Sequence, residues 1–346
     1  MTVKLPEWTR GNGPEPDVVL ASRIRLARNV RGLPFPHQMS DDQGRALLET
    51  VTGAVRRIER DWHLTLERLK DLTPLDRQFL VETHLVSPLL VSEPIRQQAV
   101  VMDERQSISV MVGEEDHLRI QVLMPGLELS EAWNVANRLD DALEVELDYA
   151  YDRRLGYLTA FPTNVGTGLR ASVMVHLPAL VLTRQAPAVF TALAQMGMVV
   201  RGLYGEGTEA QGSIFQISNQ VSLGRSEEEL VHNLTMVAEQ VVGRERLARQ
   251  QLERNAAVFV ADRVGRAFGI LRHCRILSSD EALRLLSEVH LGIELGRLPP
   301  FADATFSQLV SMTRPAVLQK MAGRELDPGA RDTLRADVIQ EHLKNA

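Results

Sequence analysis

What this 346-residue chain lacks narrows its possibilities first. It has a single cysteine, Cys274, which excludes an internal disulfide framework or a multi-cysteine metal cluster and suits a reducing, cytoplasmic setting. No stretch reaches the roughly 18 apolar residues of a membrane-spanning helix, and the opening MTVKLPEWTR has no apolar secretion core, so neither membrane insertion nor export is expected. A net charge of −6 offers no basic excess for general nucleic-acid binding, and mild acidity instead favours basic partners. Nine histidines occur without HExxH or similar spacing, so no structural metal is expected. The GxxxxGK[ST] phosphate loop is absent, as are the HRD and DFG elements of ordinary protein kinases. The chain shows neither an internal repeat nor a low-complexity tail.

What is present starts with 44% hydrophobic residues, enough for the core of one large domain and a smaller one. Up to about residue 225, short alternating segments are punctuated by Gly, Pro and Asn turns, which predicts an α+β region. Beyond it the signals are helical: Ser226 with Glu229 opens a helix through about Asn255, and Ser278 with Glu281 opens another. The expected division is therefore a domain over 1–250 and an all-α domain over 251–346.

Charged residues recur in distinctive short segments. In ASRIRLARN, strand alternation puts Ala21, Arg23 and Arg25 on one face and Ser22, Ile24 and Leu26 on the other. Two adjacent guanidiniums repel unless an anion lies between them, which suits a phosphate site, although a solvated strand face fits the same spacing. SISVMVGEEDHLRIQVLMPG reads as two strands joined by a turn, with Glu115 and Arg119 directed to one site, or as an ordinary acidic turn with His117 as scaffold. PTNVGTG leads into LRASVMVHL, placing Arg170, Ser172, Met174 and His176 on one face, with Gly166 and Gly168 free to take unusual backbone angles. RGLYGEGTEAQG, with Arg201, Glu206 and Glu209 among glycines, reads either as a loop that closes over substrate or as a plain surface connection.

Taken together, residues 18 to 225 resemble the catalytic domain of the phosphagen (guanidino) kinases, most closely their bacterial protein-arginine kinase branch. The resemblance implies an antiparallel sheet flanked by helices and Mg-ATP as phosphoryl donor. It places the nucleotide-phosphate arginines on Arg23, Arg25, Arg119, Arg170 and Arg201, and the guanidinium-binding carboxylates on Glu115 and Glu206. Glu114 matches a position near metal-bound water, with no direct metal ligand implied. Metabolic members carry a small helical domain before the first arginine block, whereas here that block begins at Ala21, and an open site suits a protein side chain. ARDTLRADVIQ resembles the RDxxRA phosphoarginine motif of the bacterial branch, implying that Asp332 receives a guanidinium while Arg331 and Arg335 hold its phosphoryl group. Without the resemblance, that spacing is ordinary helix-surface charge.

Two departures stand out: Phe161 where the family usually has cysteine, and Gly113 at the head of the NEEDH block. The expected reaction is phosphoryl transfer to arginine residues of proteins. Two alternatives stay open, a kinase for free guanidino compounds and a phosphoarginine-binding adaptor without turnover. The resemblance further implies a bacterial stress role in which marked proteins go to a Clp ATPase and protease. A zinc-binding activator protein would be a partner, the carboxy-terminal domain would mediate a homodimer, and neither membrane nor nucleic acid is expected as a partner.

Overall fold

The computed structural model describes residues 3–92, 96–202 and 210–343. In chain order its elements begin with β1 (Val19–Arg28), α1 (Asp41–Trp62), β2 (Leu64–Arg68), α2 (Pro74–Glu82), β3 (Ala99–Asp103), β4 (Ile108–Val112) and β5 (Leu118–Pro125). Then come α3 (Leu129–Glu144), the short β6 (Tyr151–Asp152) and β7 (Gly156–Tyr157), β8 (Leu169–His176), α4 (Pro178–Leu182), α5 (Ala186–Gln195), β9 (Met198–Gly202) and β10 (Ile214–Asn219). Six helices follow: α6 (Glu227–Asn255), α7 (Ala257–His273), α8 (Ser279–Glu294), α9 (Phe306–Met312), α10 (Pro315–Ala322) and α11 (Pro328–His342).

Helix starts follow local chemistry. Reciprocal capping boxes open α1 at Ser40 and Gln43, α2 at Thr73 and Asp76, α6 at Ser226 and Glu229, and α9 at Thr305 and Gln308. Ser278 caps α8 by accepting from the Glu281 amide. Helix α6 runs unbroken through residue 250, and its Leu252 packs in the same core as its first turns.

Eight strands form one sheet in the order β2-β3-β4-β5-β1-β8-β10-β9, with every neighbouring pair antiparallel. One face carries Ile24, Leu26, Ile120, Val122, Ala171 and Val173, and buries them against α1, α3, α5 and α6. The opposite face is covered in two places. Ala21, Leu123, Met174 and Ile214 pack against Leu271, Leu283, Leu286, Phe306 and Ile339 of the carboxy-terminal helices, and Trp8 joins them from the amino-terminal segment. Val100, Met102 and Met111 pack beneath Phe79 and Leu80 of α2 and Ala316 and Val317 of α10. Between these two apolar caps the second face presents polar side chains. Among the described residues no helix is long and apolar enough to cross a membrane.

Candidate active site

The exposed part of that second face is where strand alternation delivers the arginines. Arg25 of β1 lies opposite Arg170 of β8 on one side and Gln121 of β5 on the other. Arg23 lies opposite Ser172, Arg119 opposite Ala27, and Arg201 of β9 opposite Gln216. Because directly paired residues share a face, Arg23, Arg25, Arg119, Arg170 and Arg201 all project to the same side.

Short polar residues hold some of these guanidiniums in place. Arg23 donates to Gln216 Oε1 at 2.6 Å and to Ser172 Oγ at 3.3 Å, and Arg170 donates to Ser218 Oγ at 3.3 Å. The buried Nε atoms of Arg25 and Arg170 meet no hydrogen-bond partner among the described residues. Burial, reinforced by Arg170 and Arg119, pushes Arg23 down to about 10. Burial together with Arg23, Arg119 and Arg170 holds Arg25 well below its ordinary value, with Glu114 opposing. A guanidinium remains charged at neutral pH even so, and the shifts report positive charge crowded together and partly desolvated. An oligophosphate relieves this crowding by charge-assisted bonds, so the residues fit the polyphosphate of a nucleotide. The cleft that would take it has a volume of about 330 Å³ and is lined by Arg23, Arg25, His84, Ser87, Arg119 and Gln121.

A second cleft, of about 580 Å³, is lined by Leu89, Gly113, Glu114, Glu115, Ala160 and Phe161, and Arg119 of the first cleft bonds two of these residues. Arg119 belongs to the wall between them, donating to Glu114 Oε1 at 2.8 Å and to Glu115 Oε2 at 2.6 Å. The two carboxylates nevertheless differ. The Glu114 side chain is fully shielded and takes a hydrogen bond from Ser87; burial raises its pKa while Arg119 and Ser87 pull it down. Glu115 keeps 27% of its side chain exposed and lines the second cleft. Glu114 therefore buttresses Arg119. Among the described residues no group of three or more His, Cys, Asp or Glu gathers to hold a metal.

The turn bearing these acids is held from behind. His117 accepts from the Val30 amide at 2.9 Å through Nδ1, and its Nε2 lies 2.8 Å from Pro34 O, which makes it scaffold. Asp116 accepts from Asn29 at 2.6 Å and from the Ala160 amide at 2.7 Å, tying the Phe161 segment to the acidic turn. Gly113 has φ 76°, a left-handed conformation that glycine and asparagine tolerate best, so the family's asparagine and this glycine satisfy the same backbone demand. At Gly168, φ 66°, an added Cβ would lie 2.6 Å from Ala27 O. Phe161 is 48% exposed at the second cleft, in the position the family gives to cysteine.

Glu206 lies outside the described residues. Arg331, Asp332 and Arg335 sit on α11, and the reading of this spacing as ordinary helix-surface charge does not hold for Arg335. Arg335 is 1% exposed, donates to Thr313 O at 2.8 Å and Leu277 O at 2.6 Å, and pairs with Asp332. Its side chain is spent satisfying carbonyls at helix junctions. Arg331 donates to Leu326 O at 3.2 Å. Sequence reasoning passed over Gln216 and Ser218, although their two-residue spacing on β10 was a usable signal. It also passed over Ser87 and His84, which carried none.

The family described as "ATP:guanido phosphotransferase, C-terminal catalytic domain" matches residues 46–248, and "Protein-arginine kinase McsB C-terminal domain" matches residues 257–346. The chain is 54% identical over 339 residues to a protein-arginine kinase of Symbiobacterium thermophilum, covering 97% of this chain and 96% of that one. It is 52% identical over 340 residues to the corresponding protein of Moorella thermoacetica, covering 97% of each. Among solved structures, a lombricine kinase superposes with a TM-score of 0.61 at 27% identity, covering 72% of both chains. A duplicated taurocyamine kinase from Schistosoma mansoni gives 0.62 at 27% identity, covering 70% of this chain and 35% of that one. A cationic sheet face abutting a carboxylate-lined cleft, with these likenesses over nearly the whole chain, makes the protein a member of the ATP:guanido phosphotransferase family, in its protein-arginine kinase branch.

Proposed function

We propose that the protein transfers the γ-phosphoryl group of Mg-ATP to guanidinium nitrogens of arginine residues in proteins. The observation that carries this reading is the ion pair of Arg119 with Glu115 at the meeting of the two clefts, which puts the charge-neutralising and proton-accepting groups side by side. A guanidinium has a pKa above about 12 and no free lone pair, so it must be aligned and must lose a proton as it attacks. Glu115, with Glu206 from the segment outside the described residues, would grip two of its nitrogens and take that proton. As the P–N bond forms, the bond from the γ-phosphorus to the ADP oxygen breaks, and Arg23, Arg25, Arg119, Arg170 and Arg201 neutralise charge spread over the moving phosphoryl group. Mg²⁺, when bound with the nucleotide, would supply further neutralisation, and Glu114 would lie near its water shell.

The test is Mg-ATP with an arginine-rich protein and, in parallel, free arginine, read by mass spectrometry under non-acidic conditions that keep the P–N bond. Phosphoarginine on the protein alone is expected. Transfer to free arginine alone would point to a small-molecule kinase, and transfer to neither to a binding adaptor, the reading that Phe161 favours. For Glu115→Gln we expect a fall of about 10²–10⁴ in kcat, the usual loss for a removed general base, with the Kd for Mg-ADP little changed. Wild-type turnover in that variant would remove Glu115 from the mechanism.

We further propose a division near residue 250 between a catalytic part and a helical part for dimerisation and phosphoarginine recognition, a cytoplasmic homodimer, a zinc-binding activator, and Clp-dependent degradation of marked proteins. Phosphoarginine recognition by Arg331, Asp332 and Arg335 requires Arg335 to exchange its carbonyl partners for a phosphoryl group.

A further inference from the structure

The arginine-lined cleft has a wall that does not come from the catalytic sheet. Arg314, just before α10, lines it together with Arg23, Arg25 and Arg119. Its charge reaches the same space: His84, buried in that wall, is pushed down to about 3 by burial first and then by Arg23 and Arg314.

The backbone on both sides of Arg314 is fixed. Glu82, at the end of α2, accepts from the amides of Ala316 at 2.7 Å and Val317 at 3.2 Å, holding the first turn of α10. Arg335 donates to Thr313 O at 2.8 Å, fixing the residue immediately before Arg314. Lys320 of α10 pairs with Asp76 of α2. The Glu82 carboxylate would repel an anion in this cleft, but one oxygen faces the α10 amides and the other takes a bond from Gln78 at 3.3 Å. A helix amino terminus is a favourable place for that charge, and Arg314 is the cation before α10 that lines the cleft.

We propose that Arg314 is a nucleotide-binding residue, a fourth arginine supplied by the carboxy-terminal helices to the cleft that Arg23, Arg25 and Arg119 line. It acts on affinity for the polyphosphate, while the acceptor chemistry belongs to the Glu115 side. The inference rests on the cleft being the nucleotide site, and it adds that the carboxy-terminal helices complete that site.

The experiment measures Kd for Mg-ADP and Mg-ATP by calorimetry on the full chain, for wild type, Arg23→Gln, Arg314→Gln and Arg314→Lys, with the melting temperature of each apo protein recorded. The expected result is a rise in Kd of about tenfold in Arg314→Gln, the loss of one charge-assisted contact, partial recovery in Arg314→Lys, and an unchanged apo melting temperature. In steady state, KM for ATP should rise with kcat retained. If Arg23→Gln loses affinity while Arg314→Gln binds as wild type, the inference is overturned and the reading of the cleft stands. If wild type binds tightly and Arg23→Gln does too, the cleft is not the nucleotide site and both fall. Weakened binding in Arg314→Gln that tracks a lowered melting temperature, with no recovery in the lysine variant, would make Arg314 a packing residue and also overturn it.

Discussion

Arg28 shares β1 with Arg23 and Arg25, yet its position points it to the other face and to a different job. It donates to both carboxylate oxygens of Asp140, at 2.9 Å and 2.6 Å to Oδ2, and to Ala27 O and Thr167 O at 2.9 Å, with its guanidinium 3.5 Å from the Tyr157 ring centroid. Arg28→Ala strands a buried carboxylate and frees the loop that leads to Gly168; a stability loss of about 3–5 kcal/mol is expected in urea titrations. Phe161 gives the contrasting prediction. Exposed at the acceptor cleft, its ring offers a guanidinium a cation–π surface worth about 0.5–1 kcal/mol. Phe161→Ala should therefore raise KM for a protein acceptor about two- to fivefold, with the Kd for Mg-ADP unchanged. An unaltered KM would leave the ring as mere wall.

The junction of β8 with α8 buries two histidines and is sensitive to acid. His176 and His290 lie with ring centroids 5.2 Å apart, His290 stacks on Phe306 at 4.4 Å, and His176 bonds Ser287 at 2.7 Å. Burial lowers both, with His290 acting on His176 and Arg249 on His290, which falls to about 3; Asp17 opposes the shift at His290. Glu294 stands 3.8 Å from His290, and burial raises its own pKa. The sign follows from proton uptake. The unfolded imidazoles bind protons near 6.5 while the folded ones do not, so the stability present above 6.5 is lost as pH falls from there towards about 3. Urea unfolding should show a loss of about 2 kcal/mol from His290 alone at pH 5 relative to neutral. His290→Phe should flatten that slope.

At the scale of the whole molecule, both faces of the sheet carry apolar patches, and the patch of Ala21, Leu123, Met174 and Ile214 on the second face is covered mainly by the helices after residue 255. Leu123, Met174 and Ile214 are buried against Leu283, Leu286 and Phe306, in a core that also takes in Trp8. Each large side chain exposed costs about 1.5–3 kcal/mol, so uncovering several removes free energy comparable to the 5–15 kcal/mol that holds a domain together. A chain ending at Asn255 should therefore lack a cooperative melting transition and be cut readily by protease. A sharp transition near the full-length melting temperature would show that the sheet stands without those helices.

The sequence by itself determined several of the elements and the side to which the arginines leave their strands. Two-residue alternation put Arg23, Arg25, Arg119 and Arg170 on the polar side of their strands, capping residues marked the starts of α6 and α8, and glycines marked turns with positive φ. These are local properties, set by backbone geometry and nearest neighbours. Partners far apart along the chain were decided only by the tertiary structure. Arg335 reads as helix-surface charge until Thr313 O and Leu277 O are packed over it, and His117 reads as scaffold without any sign that Val30 and Pro34 are what it holds. Arg314 reads as an ordinary residue before a proline until Glu82 docks α10 beside Arg23 and Arg25. Periodicity fixes which way a side chain leaves its own strand or helix, whereas what it meets there depends on how separate elements pack.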